Sequence, residues 1–185
     1  MRDALLLVDL INTFEHEDGD ALLASFRERL PGMRAALAEA RSGQIPVIYV
    51  NDQGSRWDGD ALGLVRSTID EGRGGDLIAE LRPEQGERFI LKPRYSAFDH
   101  TSLVLLLEEL GIERLLLAGA ATEGCVVQSS IDARELGYKV TIIVSACATN
   151  DERLERISLQ YAEQVAGARL HENLAAARDE PGDSG

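Results

Sequence analysis

Cysteine, histidine, aromatic residues and positive charge are all scarce in this chain. Two cysteines, Cys125 and Cys147, in 185 residues cannot build a disulfide scaffold. A chain of this length buries roughly 70% of its unfolded surface, so it forms a core without covalent staples. The three histidines, His16, His100 and His171, have none of the spacings of a metal site, and neither metal nor other cofactor is expected. Lys and Arg number 19 against 32 Asp and Glu, a net charge of −13. Phosphate backbones and anionic membranes call for basic patches, so nucleic acid and membrane surfaces are excluded as natural partners. No apolar run approaches the ~20 residues of a membrane span. The start of the chain has no basic segment leading into a long apolar one, so no signal peptide is read and a cytoplasmic location is expected.

What is present is an alternation of short apolar runs and helix-like segments. Residues 4–10 (ALLLVDL) are almost all apolar, as in a strand covered on both faces. Leu22, Leu23, Phe26, Leu30, Met33 and Leu37 recur at helical spacing over 21–41, with Pro31 expected to break or restart the helix and Gly43 to stop it. Further strands are read at 46–51 (PVIYVN), 88–92 (RFILK), 114–118 (RLLLA) and 139–144 (KVTIIV), with a short sixth at 168–171. Helices are read at 76–81, from 99 or 100 to 110, at 126–136 and at 151–165. Residues 52–75, rich in glycine, read as a long irregular excursion. Strand and helix alternating in this way predict an α/β fold: a three-layer α-β-α, doubly wound, Rossmann-like sandwich on a mostly parallel six-stranded sheet. One domain is expected over 1–175, followed by a frayed polar tail at 176–185. A dinucleotide site would need a Gly-rich turn after the first strand, and Asp9-Leu10-Ile11-Asn12 has no glycine.

In doubly wound sheets ligands sit at the carboxyl ends of the strands, near the switch in strand order. The residues there are Asp9, Asn51 and Asp52, Lys92, the stretch 120–125, and 145–147. A carboxylate, an ammonium and a thiol thus come from three strands to one crevice. Cys125 is placed at the start of the 126–136 helix, where the helix dipole favours a thiolate. A carboxylate can take the thiol proton, a lysine can hold the charges in register, and backbone N–H groups can receive an oxyanion. Each residue alone also has an ordinary reading: packing for the cysteine, a loop cap for the aspartate, solvation for the lysine.

Three segments in order carry a family likeness. Leu7-Val8-Asp9-Leu10-Ile11-Asn12-Thr13-Phe14, Lys92-Pro93-Arg94-Tyr95-Ser96-Ala97-Phe98 and Gly119-Ala120-Ala121-Thr122-Glu123-Gly124-Cys125-Val126 resemble the opening strand, the lysine segment and the nucleophile loop of the isochorismatase-like cysteine hydrolases. The likeness runs from about residue 4 to 171. It implies a catalytic triad of Asp9, Lys92 and Cys125. It also implies a cis peptide at Ala120–Ala121, with the Ala121 and Cys125 N–H groups as oxyanion hole. The implied reaction is hydrolysis of an amide-type C–N bond of a small molecule through a Cys125 acyl-enzyme, with Asp9 as base and acid and Lys92 as its electrostatic support. Phe14, Trp57, Tyr95, Phe98 and Thr122 are the expected pocket residues, and a homodimer or homotetramer the expected assembly. Metal-dependent nicotinamidases in this superfamily carry histidine ligands after the second strand. Here that stretch, 51–57, has no histidine, which speaks against that activity. Alternatives are the vinyl ether hydrolysis of true isochorismatases, which lack the cysteine, and a silent member that binds a small ligand.

Overall fold

The computed structural model describes residues 1–53 and 58–179. Six strands form one sheet: β1 (Asp3–Val8), β2 (Val47–Asp52), β3 (Arg88–Lys92), β4 (Arg114–Ala120), β5 (Lys139–Ala148) and β6 (Arg169–His171). All neighbours are parallel, in the order β3-β2-β1-β4-β5-β6. The chain starts in the middle at β1, runs outward to β3, then returns to β4 on the other side. The order therefore reverses between β1 and β4, and the crevice opens at their carboxyl ends.

The apolar run of β1 is explained by the layers. Leu5 and Leu7 pack with Phe26, Met33 and Leu37 on one face, while Ala4, Leu6 and Val8 pack with Leu103, Leu107 and Val126 on the other. Alternate side chains point to opposite faces and both faces are covered, so no polar position is left. Helices α1 (Gly19–Ser42), α2 (Ala61–Glu71), α3 (Gly75–Leu81) and α7 (Leu174–Asp179) lie on the first face. Helices α4 (Leu103–Leu110), α5 (Val127–Glu135) and α6 (Glu152–Gln164) lie on the second. None of the described helices is long and apolar enough to cross a membrane.

Several element boundaries differ from the sequence reading, each for a local reason. Helix α1 runs unbroken through Pro31, because Phe26 before it and Met33 and Leu37 after it bury one continuous stripe. Burial of each such side chain is worth roughly 1.5–3 kcal/mol and offsets the missing N–H. Gly32 lets α1 lie directly on β5, since a Cβ there would stand 2.1 Å from the Ser145 carbonyl oxygen. The 52–75 excursion contains helix α2, whose first turn is capped by Asp60: its side chain accepts from the Gly63 N–H at 2.7 Å. Helix α4 starts only at Leu103, after a turn in which Thr101 Oγ1 donates to the Ala97 carbonyl and accepts from the Leu103 N–H. Strand β5 continues past residue 144 to Ala148, because its register with β4 slips between Leu117 and Gly119 and pairing resumes beyond the slip. The tail is not frayed from 176. Ala177 is fully buried, and its carbonyl accepts from Arg114, itself paired with Asp3 at 2.6 Å. Residues 180–185 lie outside the described residues.

Candidate active site

Asp9 follows β1 with φ of 49°, a left-handed conformation that aspartate tolerates better than most residues. The turn aims its carboxylate across β2, where Oδ1 accepts the Asp52 N–H at 2.6 Å. Asn51 clamps the next stretch of chain: its Oδ1 accepts from the Ile11 N–H and its Nδ2 donates to the Ile11 carbonyl, both at 2.9 Å. These bonds fix the exit from β1, and with it the carboxylate.

Lys92 ends β3 and is fully buried. A buried ammonium is tolerated only when paired. Its Nζ lies 2.7 Å from Asp9 Oδ2, donates to the Arg94 carbonyl at 2.8 Å, and stands 3.5 Å from Cys125 Sγ. The segment beyond it is tied to the nucleophile turn through Ser129. The Ala97 N–H donates to Ser129 Oγ at 2.9 Å, and that hydroxyl donates to the Cys125 carbonyl at 2.6 Å.

Cys125 sits within a π-helical turn, Thr122–Val126, that precedes α5. The peptide bond from Ala120 to Ala121, just before the turn, is cis. Gly119 has φ of 130°, and a Cβ there would meet the Val8 carbonyl oxygen at 1.9 Å, so only glycine lets β4 approach β1 at this point. Buried polar groups hold the turn from behind. Thr122 Oγ1 donates to Glu155 Oε1 at 2.9 Å, and Arg29 pairs with the same carboxylate at 3.3 Å. Glu123 accepts from Thr149 Oγ1 at 2.7 Å and from the Asn150 N–H at 2.9 Å.

The electrostatics correct the expectation of a thiolate stabilised at a helix start. Burial pushes the Cys125 thiol up to about 12, the Asp9 charge adds to the rise, and Lys92 opposes it. Burial also holds the Asp9 carboxyl above its ordinary 3.8, against the pull of Lys92, the Cys125 thiol and the Asp52 N–H. For Lys92, burial favours the neutral amine, but the charges of Asp9 and Cys125 outweigh it and keep the ammonium above its usual value. Lys92 is therefore the cation of the cluster, and Asp9 and Cys125 titrate as a coupled pair.

Asp9 and Cys125 open onto a cleft of about 800 Å³, large enough for a small molecule. Ile11, Leu22 and Leu64 give it apolar walls, and Asn12, Gln53 and Asn150 give it polar ones.

The family model described as Isochorismatase domain matches residues 3–171. The chain belongs to the isochorismatase family. It is 32% identical over 167 residues to the uncharacterized isochorismatase family protein YaaI of Bacillus subtilis (strain 168), covering 90% of this chain and 92% of that one. It is 30% identical over 189 residues to the ureidoacrylate amidohydrolase RutB of Serratia proteamaculans (strain 568), covering 88% of this chain and 73% of that one. The N-carbamoylsarcosine amidase of Thermoplasma acidophilum superposes with a TM-score of 0.69 at 26% identity, over 92% of this chain and 95% of that one. The last two of these relatives are by name an amidohydrolase and an amidase, hydrolases of amide C–N bonds.

Against this family background, the residues expected at the site divide. Asp9, Lys92 and Cys125 come together, and Ala120, Ala121 and Tyr95 line their cleft. Phe14 does not: it is fully buried in the core, edge-on to Phe26 at 4.9 Å, because its N–H is capped by Asn12 Oδ1 and the turn points its ring inward. Thr122 is fully buried behind the nucleophile turn rather than in the cleft. Phe98 stacks on Tyr138 at 6.2 Å, on the α5 side of the sheet. Trp57 lies outside the described residues. Cys147 is fully buried in β5. Among the described residues no cluster of three or more His, Cys, Asp or Glu is arranged to hold a metal ion. His16 also lines the cleft. Sequence reasoning missed Glu155 and Asn150. Glu155 had a signal, since it shares the inward face of α6 with Leu159 and Ala162 at intervals of four and three.

Proposed function

We propose that this protein is a cysteine amidohydrolase that cleaves an amide-type C–N bond of a small molecule. The observation that carries the reading is the convergence of three groups from three strand ends. The Cys125 thiol hydrogen-bonds to the Asp9 carboxylate, and the Lys92 ammonium touches both.

The steps follow from that geometry. Asp9 takes the thiol proton as Cys125 Sγ attacks the substrate carbonyl carbon. Lys92 remains charged throughout and offsets the anion wherever it resides, on oxygen or on sulfur. The thiolate need not exist at rest: proton transfer and attack together avoid the high pKa of the free thiol. The Ala121 and Cys125 N–H groups receive the oxyanion. Asp9 then returns its proton to the leaving nitrogen, the C–N bond breaks, and an acyl-thioester remains on Cys125. Water, deprotonated by Asp9, releases the acid. The names of the two relatives, both amidohydrolases, support this chemistry over vinyl ether hydrolysis.

Turnover of an amide panel, read as released amine, tests the reading. Cys125→Ala is expected to lose at least about 10³-fold in kcat, the scale of removing a nucleophile acting with its base. An acyl adduct on the Cys125 peptide is expected when wild-type enzyme is quenched in acid during turnover. Unchanged turnover in Cys125→Ala refutes it.

A further inference from the structure

Ser129 is fully buried in α5 and makes two hydrogen bonds of different kinds. Its hydroxyl donates to the Cys125 carbonyl, one turn back, at 2.6 Å. That bond is an ordinary habit of serine inside a helix. Ser130, next in the chain and equally buried, shows the habit alone: its hydroxyl donates to the Val127 carbonyl at 2.7 Å. The second bond of Ser129 reaches another part of the fold, for its oxygen accepts the Ala97 N–H at 2.9 Å. Ala97 is fully buried, so its N–H needs a partner within the protein. From Lys92, the end of β3, to Leu103, the start of α4, the chain forms neither helix nor strand. No ladder of backbone bonds therefore holds this segment against α5, and Ser129 supplies the link.

The two bonds complete a closed circuit. Lys92 Nζ donates to the Arg94 carbonyl at 2.8 Å, and three residues on Ala97 donates to Ser129. Ser129 donates to the Cys125 carbonyl, and Cys125 Sγ lies 3.5 Å from Lys92 Nζ. The grip of Lys92 on Asp9, at 2.7 Å, and on Arg94 does not pass through Ser129. The approach of the sulfur to the ammonium does. We propose that Ser129 is a positioning residue that holds the Cys125 sulfur within reach of the Lys92 ammonium. The inference rests on the reading of Cys125 as nucleophile and deepens it: the cation that steadies the sulfur anion is kept at its distance by one buried hydroxyl. Without that hydroxyl, Lys92 stays with Asp9 and the sulfur drifts from both.

The test is a double-mutant cycle on the whole chain, read as the rate of Cys125 alkylation by iodoacetamide at neutral pH. This readout needs no substrate. Ser129→Ala is expected to slow alkylation about tenfold or more, the scale of a small misplacement of a reacting group. In a Lys92→Ala background the same substitution is expected to change the rate less than about threefold, because the partner it acts through is gone. Ser130→Ala removes a buried serine of the same helix and is expected to leave the rate within about threefold of wild type. Ser129→Cys, a weaker hydrogen-bond partner of similar size, stands in for the alanine variant if that fails to fold, its two thiols told apart by peptide fragmentation. Cys147, fully buried, reports on folding, since its labelling marks an opened chain. An equal slowing with and without Lys92, or the same slowing in Ser130→Ala, shows a merely structural serine and overturns the proposal; so does faster alkylation in Ser129→Ala with Cys147 still protected. Amine release from the amide panel is read separately. Its absence in the wild type overturns the amidohydrolase reading, while the alkylation cycle alone decides the role of Ser129.

Discussion

Substituting Asp9 by Asn separates a thiol that shares its proton from one that ionises alone. In the wild-type protein the thiol is pushed from an ordinary 9.0 up to about 12. That rise of about three units is worth about 4 kcal/mol against the thiolate while Asp9 is charged. Burial is the largest cause of the rise and the Asp9 charge the next, so removing that charge returns part of it. Once Asp9 carries the proton, that opposition is gone and Lys92, at 3.5 Å, stabilises the sulfur anion. Between its two macroscopic steps, the Asp9–Cys125 pair holds one proton, and the fraction with the proton on Asp9 does not vary with pH. The lower step lies above 3.8 and the upper at about 12. The rate of Cys125 alkylation by iodoacetamide, read by peptide mass spectrometry, is therefore expected to show a plateau between the two steps, below about 12, instead of a steady climb. In Asp9→Asn the thiol keeps its burial but loses the Asp9 charge and faces Lys92 alone, so its pKa falls below about 12 and labelling rises about tenfold per pH unit up to that lower value. Labelling of the variant then overtakes the wild type at alkaline pH, although its hydrolysis is lost. Cys147, fully buried, is the unreactive internal control. A wild-type profile that climbs tenfold per unit and matches the Asp9→Asn profile would refute proton sharing.

Two further outcomes follow from the groups behind the site. Asn51→Leu strips both partners from the Ile11 backbone, at about 1–3 kcal/mol for each buried group left unpaired. Thermal unfolding is expected to fall by roughly 2–4 °C for each kcal/mol lost in a chain of this size, and an unchanged Tm would contradict the clamp. Glu155 has its carboxyl held above the ordinary 4.5, chiefly by burial, with Thr122 and Arg29 opposing. The unfolded chain ionises this group first, so the wild type loses stability as pH rises from 4.5 to the folded pKa, and the loss persists above it. Glu155→Gln removes that dependence, so the Tm of the variant minus that of the wild type should grow as pH rises through this window; a difference that shrinks would show the carboxylate to be stabilising.

Composition and periodicity determined the layers of this protein. A run such as Ala4-Leu5-Leu6-Leu7-Val8 has only one comfortable place, a strand covered on both faces, and five such runs separated by helices leave little choice but a parallel doubly wound sheet. The same logic put Asp9, Lys92 and Cys125 at strand ends, since the ends of parallel strands share one side of a sheet. Tertiary structure decided what those residues are. Whether a thiol is acidic or resistant depends on the water removed from it and on charges a few ångströms away, and Asp9, Lys92 and Cys125 are distant in the chain. Phe14 and Thr122 were misplaced for the same reason: which way a side chain points after a strand is set by one local hydrogen bond, from Asn12 in one case and to Glu155 in the other. Pro31 and the 61–71 helix were misjudged because packing against the sheet outweighs local propensity. Asn150 gave no sequence signal at all. It lines the cleft because β5, slipping register against β4, carries the chain past Ala148 to the nucleophile turn.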